Sequence, residues 1–355
     1  MIRAMQSSKV SNCVNRLADI VFRFISSVHG LDAGFSGIRI ISLPFWFLAA
    51  VTYPFTVMLY VLNVACFSEQ QVGLSELTGA VGAFNYMLST FASMYAFIVQ
   101  HKAVEKLIQS DVRSAGDVFI PLACSIPLVL TCASVISRMH KVPVIVGYVN
   151  YIGFDFSVTV FFMIYLNVCA NISDQLKELH ELTLKREVCW NFLLLEKLRI
   201  RREIEVVNSI SAPGQAFHHV QLFIGSIFDF ASVTGTTMSF YEKSLLIASL
   251  FTYMMNLLYT ARKGSRIISQ AVKTEFQVWT LAASRADLRN SGKLSEAIGI
   301  FRFREEWDTL RVGCFTSSLG NLFKFLSTTL TCVAVVLQFD FKVVRSITRL
   351  AKSDP

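Results

Sequence analysis

The run Thr316 to Phe339 constrains this chain most, because its 24 residues are apolar enough to enter a bilayer and still carry a polar stripe from end to end. At about 1.5 Å per residue they make roughly 36 Å of helix, against a hydrocarbon core of about 30 Å. Ser317, Lys324, Thr331 and Gln338 recur at every seventh position, and Asn321, Thr328 and Val335 fall between them on nearly the same face. The other sides carry Leu319, Leu322, Phe323, Leu326, Leu330, Val333, Val336 and Leu337. Unpaired polar groups are costly in hydrocarbon, so such a helix turns its stripe toward water or toward polar partners. A pore wall fits that description, and so does a packing edge whose hydroxyls and amides bond a neighbouring helix.

Composition extends this reading to the whole chain: 53% of the 355 residues are hydrophobic and only 16% charged. The expected fold class is an all-α polytopic membrane protein. The formal charge of +8 does not indicate a nucleic-acid binder, because the basic residues lie beside apolar runs and not on one soluble face. The eight cysteines show no metal-ligand spacing and read as small apolar packers.

Taken in order, residues 1–39 have no cleavable leader pattern. Leu17, Ile20, Val21, Phe24 and Val28 trace one helical face there with Arg16 and Arg23 at its side, as expected of a cytosolic or interfacial helix. Spans one to four are expected within 40–170, at about 40–67, 72–99, 118–137 and 144–170. Segment 171–214 is rich in Glu, Lys, Arg and Leu, with Ile200, Ile204, Val207 and Ile210 at helical spacing, and reads as a membrane helix prolonged into cytosol. Pro213-Gly214 is expected to break it before spans five and six, at about 215–239 and 244–260. A second charged segment, 261–315, leads to the last span, 316–339, and a basic tail, 340–355.

Seven spans result, and positive charge orients them. About 25 of the 33 Lys and Arg residues fall on the side of the N-terminus and the loops after spans two, four and six; Arg138, Lys141, Lys243, Lys342, Arg345, Arg349 and Lys352 fall on the other. The N-terminus is therefore expected in the cytosol and the C-terminus outside. The basic amphipathic tail and the sequon Asn171-Ile172-Ser173, which this scheme places in the cytosol, both strain it.

No catalytic constellation, phosphate-binding glycine motif or nucleophile elbow is present, and His218-His219 lacks ligand partners at metal-binding spacing. Neither a metal nor a cofactor is expected, and the chain does not read as an enzyme. Acids inside spans are the better signal. Asp155 shares a face with Tyr148 and Tyr151, and Asp229 shares one with Ser232 and Thr236. With Tyr86 and Asn85 of span two, they suggest a polar, aromatic pocket in the outer half, or groups that satisfy one another between helices. Lys324 lies about eight residues into the last run, from where its stem can reach back to the headgroups; facing a pore, it would oppose cations.

The end of the last run, Thr331-Cys332-Val333-Ala334-Val335-Val336-Leu337-Gln338-Phe339, resembles the signature of insect gustatory receptors, Thr-Tyr followed by five apolar residues and Gln-Phe. Cys332 stands where the usual residue is Tyr, and Gly313-Cys314-Phe315 is similar to the Gly-x-Phe that opens the family's last span. The resemblance implies a seven-span, ligand-gated, non-selective cation channel of the plasma membrane, in the dendrites of sensory neurons. It would assemble as a tetramer with itself or with sister gustatory receptor subunits and respond to a small-molecule tastant. The long cytosolic helices would form an anchor between subunits. Gln338 and Phe339 would form or flank the outer gate and Thr331 would lie deeper; Val335 joins them by spacing. A receptor acting through G proteins and a secondary transporter are the alternatives, the first requiring the opposite orientation.

Overall fold

In a computed structural model, the backbone is described for residues 2–28, 101–108, 112, 114–136, 144–184, 190–234, 240–284 and 298–351. The helices are α1 (Ile2–Val28), α2 (His101–Ile108), α3 (Gly116–Ile136), α4 (Val144–Leu184), α5 (Trp190–Thr234), α6 (Phe240–Ser284), the short α7 (Glu305–Asp308) and α8 (Leu319–Ala351). Strands β1 (Arg311–Val312) and β2 (Phe315–Thr316) pair antiparallel between α7 and α8, with Arg311 opposite Thr316 and Val312 opposite Phe315. The expected spans at 40–67 and 72–99 lie outside the described residues. Among the described residues Lys243–Leu281 is long and apolar enough to cross a membrane, while Gly116–Ile126 and Leu319–Val335 are shorter apolar stretches.

The long helices change character along their length. α4, α5 and α6 contain 41, 45 and 45 residues, so each is about twice as long as a bilayer core is thick. In α4 the apolar half ends near Ala170, and Asp174, Lys177, Glu178 and Glu181 follow on the same helix. In that charged half, Ile172, Leu176 and Leu179 of α4 meet Ile200, Ile204 and Val207 of α5 and Ile267, Ala271 and Val278 of α6 in one buried cluster. Spacings of three, four and seven place each set on one stripe of its helix, which is what lets the helices share a seam. Of the apolar positions picked out in 200–210, Ile210 lies at the edge of this cluster and the other three within it.

The expected break at Pro213-Gly214 does not occur, and α5 runs through Pro213. Proline removes one backbone donor from the helix interior, and the residues on either side of it make close approaches. A Cβ on Gly214 would come within 2.9 Å of the Phe161 ring of α4, and the Ala212 carbonyl accepts a hydrogen bond from Gly313 N at 2.9 Å. α8 also differs from the expected span. It begins at Leu319, since Thr316 belongs to the hairpin, and it continues past Phe339 through the basic tail to Ala351, 33 residues in all.

A second cluster, Phe162, Leu222, Tyr253, Leu257, Ala261 and Leu322, joins the membrane ends of α4, α5 and α6 to the base of α8. Truncating the seam while leaving this second cluster intact separates the two contributions. Leu176→Ala is expected to lower unfolding stability by about 2–5 kcal/mol, read as a shift in the thermal unfolding midpoint of the full chain in detergent; a shift no larger than that of an exposed control such as Leu184→Ala would contradict the seam's role.

Candidate functional site

α8 presents two faces to two environments. Leu322 and Val333 are 2% and 4% exposed against the rest of the chain, and Thr329 is buried beside them. On the far side Lys324, Ser327, Thr328, Thr331, Val335 and Gln338 are all exposed. Phe323 and Leu330, also exposed, occupy the adjoining arc, so the uncovered surface has a polar edge and an apolar edge. The Thr328 hydroxyl donates to Lys324 O at 3.0 Å and the Thr331 hydroxyl to Ser327 O at 2.9 Å. With their hydrogens committed to the helix backbone, these oxygens turn acceptor lone pairs outward.

The stripe begins later than its spacing suggests. Ser317 is buried before the helix starts, its carbonyl pressed against Gly264 of α6 where a side chain would collide. Asn321 is half-buried and donates from Nδ2 to Thr316 O at 3.0 Å, closing the hairpin. Lys324 lies within two turns of the start of α8 at Leu319 and not eight residues in, which shortens the reach its stem needs to leave the lipid.

The base of α8 is moored by the hairpin and by α7. Gly313 holds φ +59° at the turn, a conformation that favours glycine. Asn208 of α5 donates to Thr309 O at 2.9 Å and accepts from Arg311 N at 2.8 Å, bonding the strand entry like a partner strand. From α6, Ser265 accepts from Leu319 N at 2.9 Å.

Beneath the hairpin, Asp308 is a fully buried carboxylate shared by two cations of α5. Lys197 Nζ lies 2.6 Å from Oδ1. Arg201 grips both oxygens, Nε to Oδ1 at 2.9 Å and a terminal nitrogen to Oδ2 at 2.7 Å, and also reaches Arg302 O. Arg304 N adds a backbone donor to Oδ2 at 2.9 Å. Trp307 packs under the guanidinium groups of Arg201 and Arg304. Burial alone would raise the Asp308 pKa, but the bonds from Arg201 and Lys197 outweigh it and hold the carboxyl below its ordinary range. Burial pulls the Lys197 ammonium down from its ordinary value, and Asp308 only partly offsets this. Lys197 and Arg201 are spaced four apart on α5, the one sequence signal that could have paired them with an acid.

A second ion pair pins the start of α3 to α6. Asp117 Oδ1 accepts from Lys263 Nζ at 2.7 Å and from the Tyr259 hydroxyl at 3.0 Å. His218, which sequence spacing separates from any metal site, is buried among the rings of Phe161, Phe162 and Tyr253, while His219 faces Phe325 of α8. Among the described residues no three His, Cys, Asp or Glu side chains could hold a metal ion.

Of the expected pocket, Tyr148, Tyr151 and Asp155 lie on α4 and Asp229 lies on α5, with their side chains outside the described residues. Asn85, Tyr86 and Thr236 lie outside them altogether, as does the side chain of Phe339. Gln338, Thr331 and Val335 are brought together on the uncovered edge of α8.

No protein-family model and no curated protein sequence matches the chain. In three dimensions it is similar to the olfactory receptor OR5 of the insect Machilis hrabei in complex with eugenol, with a TM-score of 0.69 and 13% identity over 93% of this chain and 98% of that one. A second structure of the same receptor gives a TM-score of 0.67 and 13% identity over 91% and 97%. The chain has the fold of an insect olfactory receptor. That fold is all-α and polytopic in the membrane; at this identity the likeness is one of architecture.

Within this receptor fold the Asp308 node gives a direct test of the mooring. Asp308→Asn leaves two cations facing a neutral side chain and is expected to cost about 3–5 kcal/mol, while adding Lys197→Met recovers part of the loss. Because the folded-state carboxyl pKa is depressed, the contribution of Asp308 is complete above the ordinary carboxylate pKa of about 3.9 and fades as pH falls through the lower folded value. The stability gap between the parent and Asp308→Asn should therefore be constant near neutral pH and narrow only in acid below about pH 4; a gap that closes by pH 6 would assign the effect to another group.

Proposed function

We propose that the chain is a subunit of a chemical-ligand-gated, non-selective cation channel of the insect chemoreceptor superfamily, in its gustatory branch. The observation that carries this reading is the uncovered polar edge of α8. Ser327, Thr328, Thr331 and Gln338 are exposed along it, and a polar edge along an apolar helix requires water or polar partners. Copies of α8 around a common axis supply an aqueous path, and the acceptor oxygens of Thr328 and Thr331 suit cations and their hydration water. Gln338 and Phe339 stand at the outer end of that path, with Val335 and then Thr331 deeper.

Assembly as a tetramer, of identical or sister subunits, accounts for the large apolar side chains left exposed on the charged halves of α5 and α6. Leu195 and Leu198 on α5 and Phe276 and Trp279 on α6 are all uncovered there, and a soluble surface rarely keeps such patches without a partner. The gustatory assignment rests on the segment Thr331 to Phe339. The eugenol in the olfactory receptor of similar fold supports a small-molecule ligand here, a tastant held by Tyr86, Asn85, Tyr148, Tyr151, Asp155, Asp229 and Thr236 in the outer half of a seven-span bundle. The N-terminus is cytosolic and the C-terminus outside. The site of action is the plasma membrane of sensory-neuron dendrites.

Gating then needs a ligand that binds the open arrangement more tightly than the closed one. α8 is bonded at its base and lies against the bundle along one side, so its outer end is the part free to respond.

Expression of the chain, alone or with a sister subunit, under blocked G-protein signalling should give ligand-evoked cation current. Thr331→Arg should cut that current by roughly tenfold or more by placing a ring of charge in the path, whereas Leu330→Ala on the apolar edge should leave ion selectivity unchanged. Current that disappears when G proteins are blocked, or saturable ligand uptake without current, would transfer the chain to a metabotropic receptor or to a transporter.

A further inference from the structure

Among the described residues α1 is anchored along one side. Ala18, Phe22 and Ile25 enter the main core, and the Asn15 and Asp19 side chains accept hydrogen bonds from Ala115 N at 3.1 Å and Val112 N at 3.5 Å, at the residues that lead into α3. The opposite side is apolar and exposed. Leu17, Ile20 and Phe24 are 54%, 56% and 47% exposed, and Val14 and Cys13 are exposed with them. By helical spacing these positions cover an arc of about 120°.

Lys9, Arg16 and Arg23 follow one another at intervals of seven along one border of that arc. Arg16 is exposed, and Arg23 is bonded to Asp19 at 2.8 Å. Asp19 is the only acid in Ile2–Val28, against four basic residues. A self-pairing of this helix would therefore bring basic borders together with no acid free to meet them. An apolar arc with a basic border, fixed where α3 enters its apolar run, has the chemistry of a helix lying in a lipid interface.

We propose that α1 is a membrane-surface helix that recognises anionic phospholipid, with Cys13, Leu17 and Ile20 in the acyl boundary and Arg16 and Arg23 on the headgroups. Through Asn15 and Asp19 this contact sets the position of the start of α3, so the lipid beside the helix becomes part of the support of the bundle. The proposal requires the membrane fold and is independent of the channel reading.

The test uses the full chain with Cys13 as its sole cysteine, a nitroxide attached there, in nanodiscs of phosphatidylcholine alone or mixed with phosphatidylserine. Both leaflets of a disc carry the same lipid, so the result does not depend on which side the N-terminus faces. The label should become accessible to oxygen and shielded from a water-soluble nickel chelate in the phosphatidylserine discs. Arg16→Glu should weaken that partitioning roughly fivefold or more, Arg16→Gln by less, and Leu17→Glu should abolish it in either lipid. Unchanged size-exclusion and thermal unfolding profiles of these surface variants keep a folding defect from passing as a binding one. A label open to the chelate in phosphatidylserine discs overturns the proposal, as does one shielded from both probes, which would mark a protein contact. Equal partitioning by the parent and Arg16→Glu in both lipids removes the anionic requirement and overturns it as well.

Discussion

Apolar side chains are driven together only where water is the alternative, and in this chain that place lies beyond the lipid. Within a bilayer a leucine gains little by leaving acyl chains for another helix. The charged halves of α4, α5 and α6 cannot sit in hydrocarbon, since Asp174, Lys177, Glu178 and Glu181 recur along α4 alone. There Leu176, Leu179, Ile200, Ile204, Ile267 and Val278 are buried against one another, each large aliphatic contributing about 1.5–3 kcal/mol. Because the helices run on without interruption, the membrane halves take their relative positions from a seam formed in water. The length of these helices is thus a device for using the hydrophobic effect on behalf of segments that cannot use it themselves.

The seam is non-directional, and a register has to come from elsewhere. Asp308 supplies one. Its two oxygens accept from Lys197, Arg201 and the backbone of Arg304, a donor arrangement that permits one placement of α7 on α5. A buried carboxylate with two cations is a weak source of net stability, because desolvation offsets most of the attraction, but it penalises any alternative pairing heavily. Asn208 and the Ala212 carbonyl extend the same register to the hairpin, and Ser265 and Gly264 extend it to the first turn of α8. The last helix is located by polar bonds at its base and by apolar contact along a single stripe.

What the sequence made legible follows from this division. Apolar periodicity is a local property, so Ile200, Ile204 and Val207 could be recognised as a buried face, and the polar positions of α8 could be grouped before any fold was known. The ion pairs depend on residues 107 positions apart, as Arg201 and Asp308 are, and nothing local distinguishes them from solvated charges. Pro213-Gly214 reads locally as a stop, yet α5 continues through it, with Phe161 close against Gly214 and Gly313 bonded to the Ala212 carbonyl. Ser317 and Asn321 misled in a similar way: their spacing continues the stripe, but the helix begins only at Leu319, Ser317 is buried ahead of it, and Asn321 bonds back to the hairpin. The aromatic and acidic positions of the expected pocket are a statement of spacing alone, because their side chains lie outside the described residues.

Among the described residues α1 and α8 each leave one face exposed, and the chemistry of the two faces is opposite. The uncovered edge of α8 carries hydroxyls, an amide and an ammonium on a helix otherwise apolar enough to enter lipid, so hydrocarbon is the one neighbour it cannot accept. The exposed arc of α1 carries leucine, isoleucine and valine on a helix otherwise polar, so water is the neighbour it least tolerates. A single chain cannot satisfy both, since each face needs what lies outside it. If α1 lies on the membrane and copies of α8 share an axis, lipid covers the first face and like edges, with water between them, cover the last.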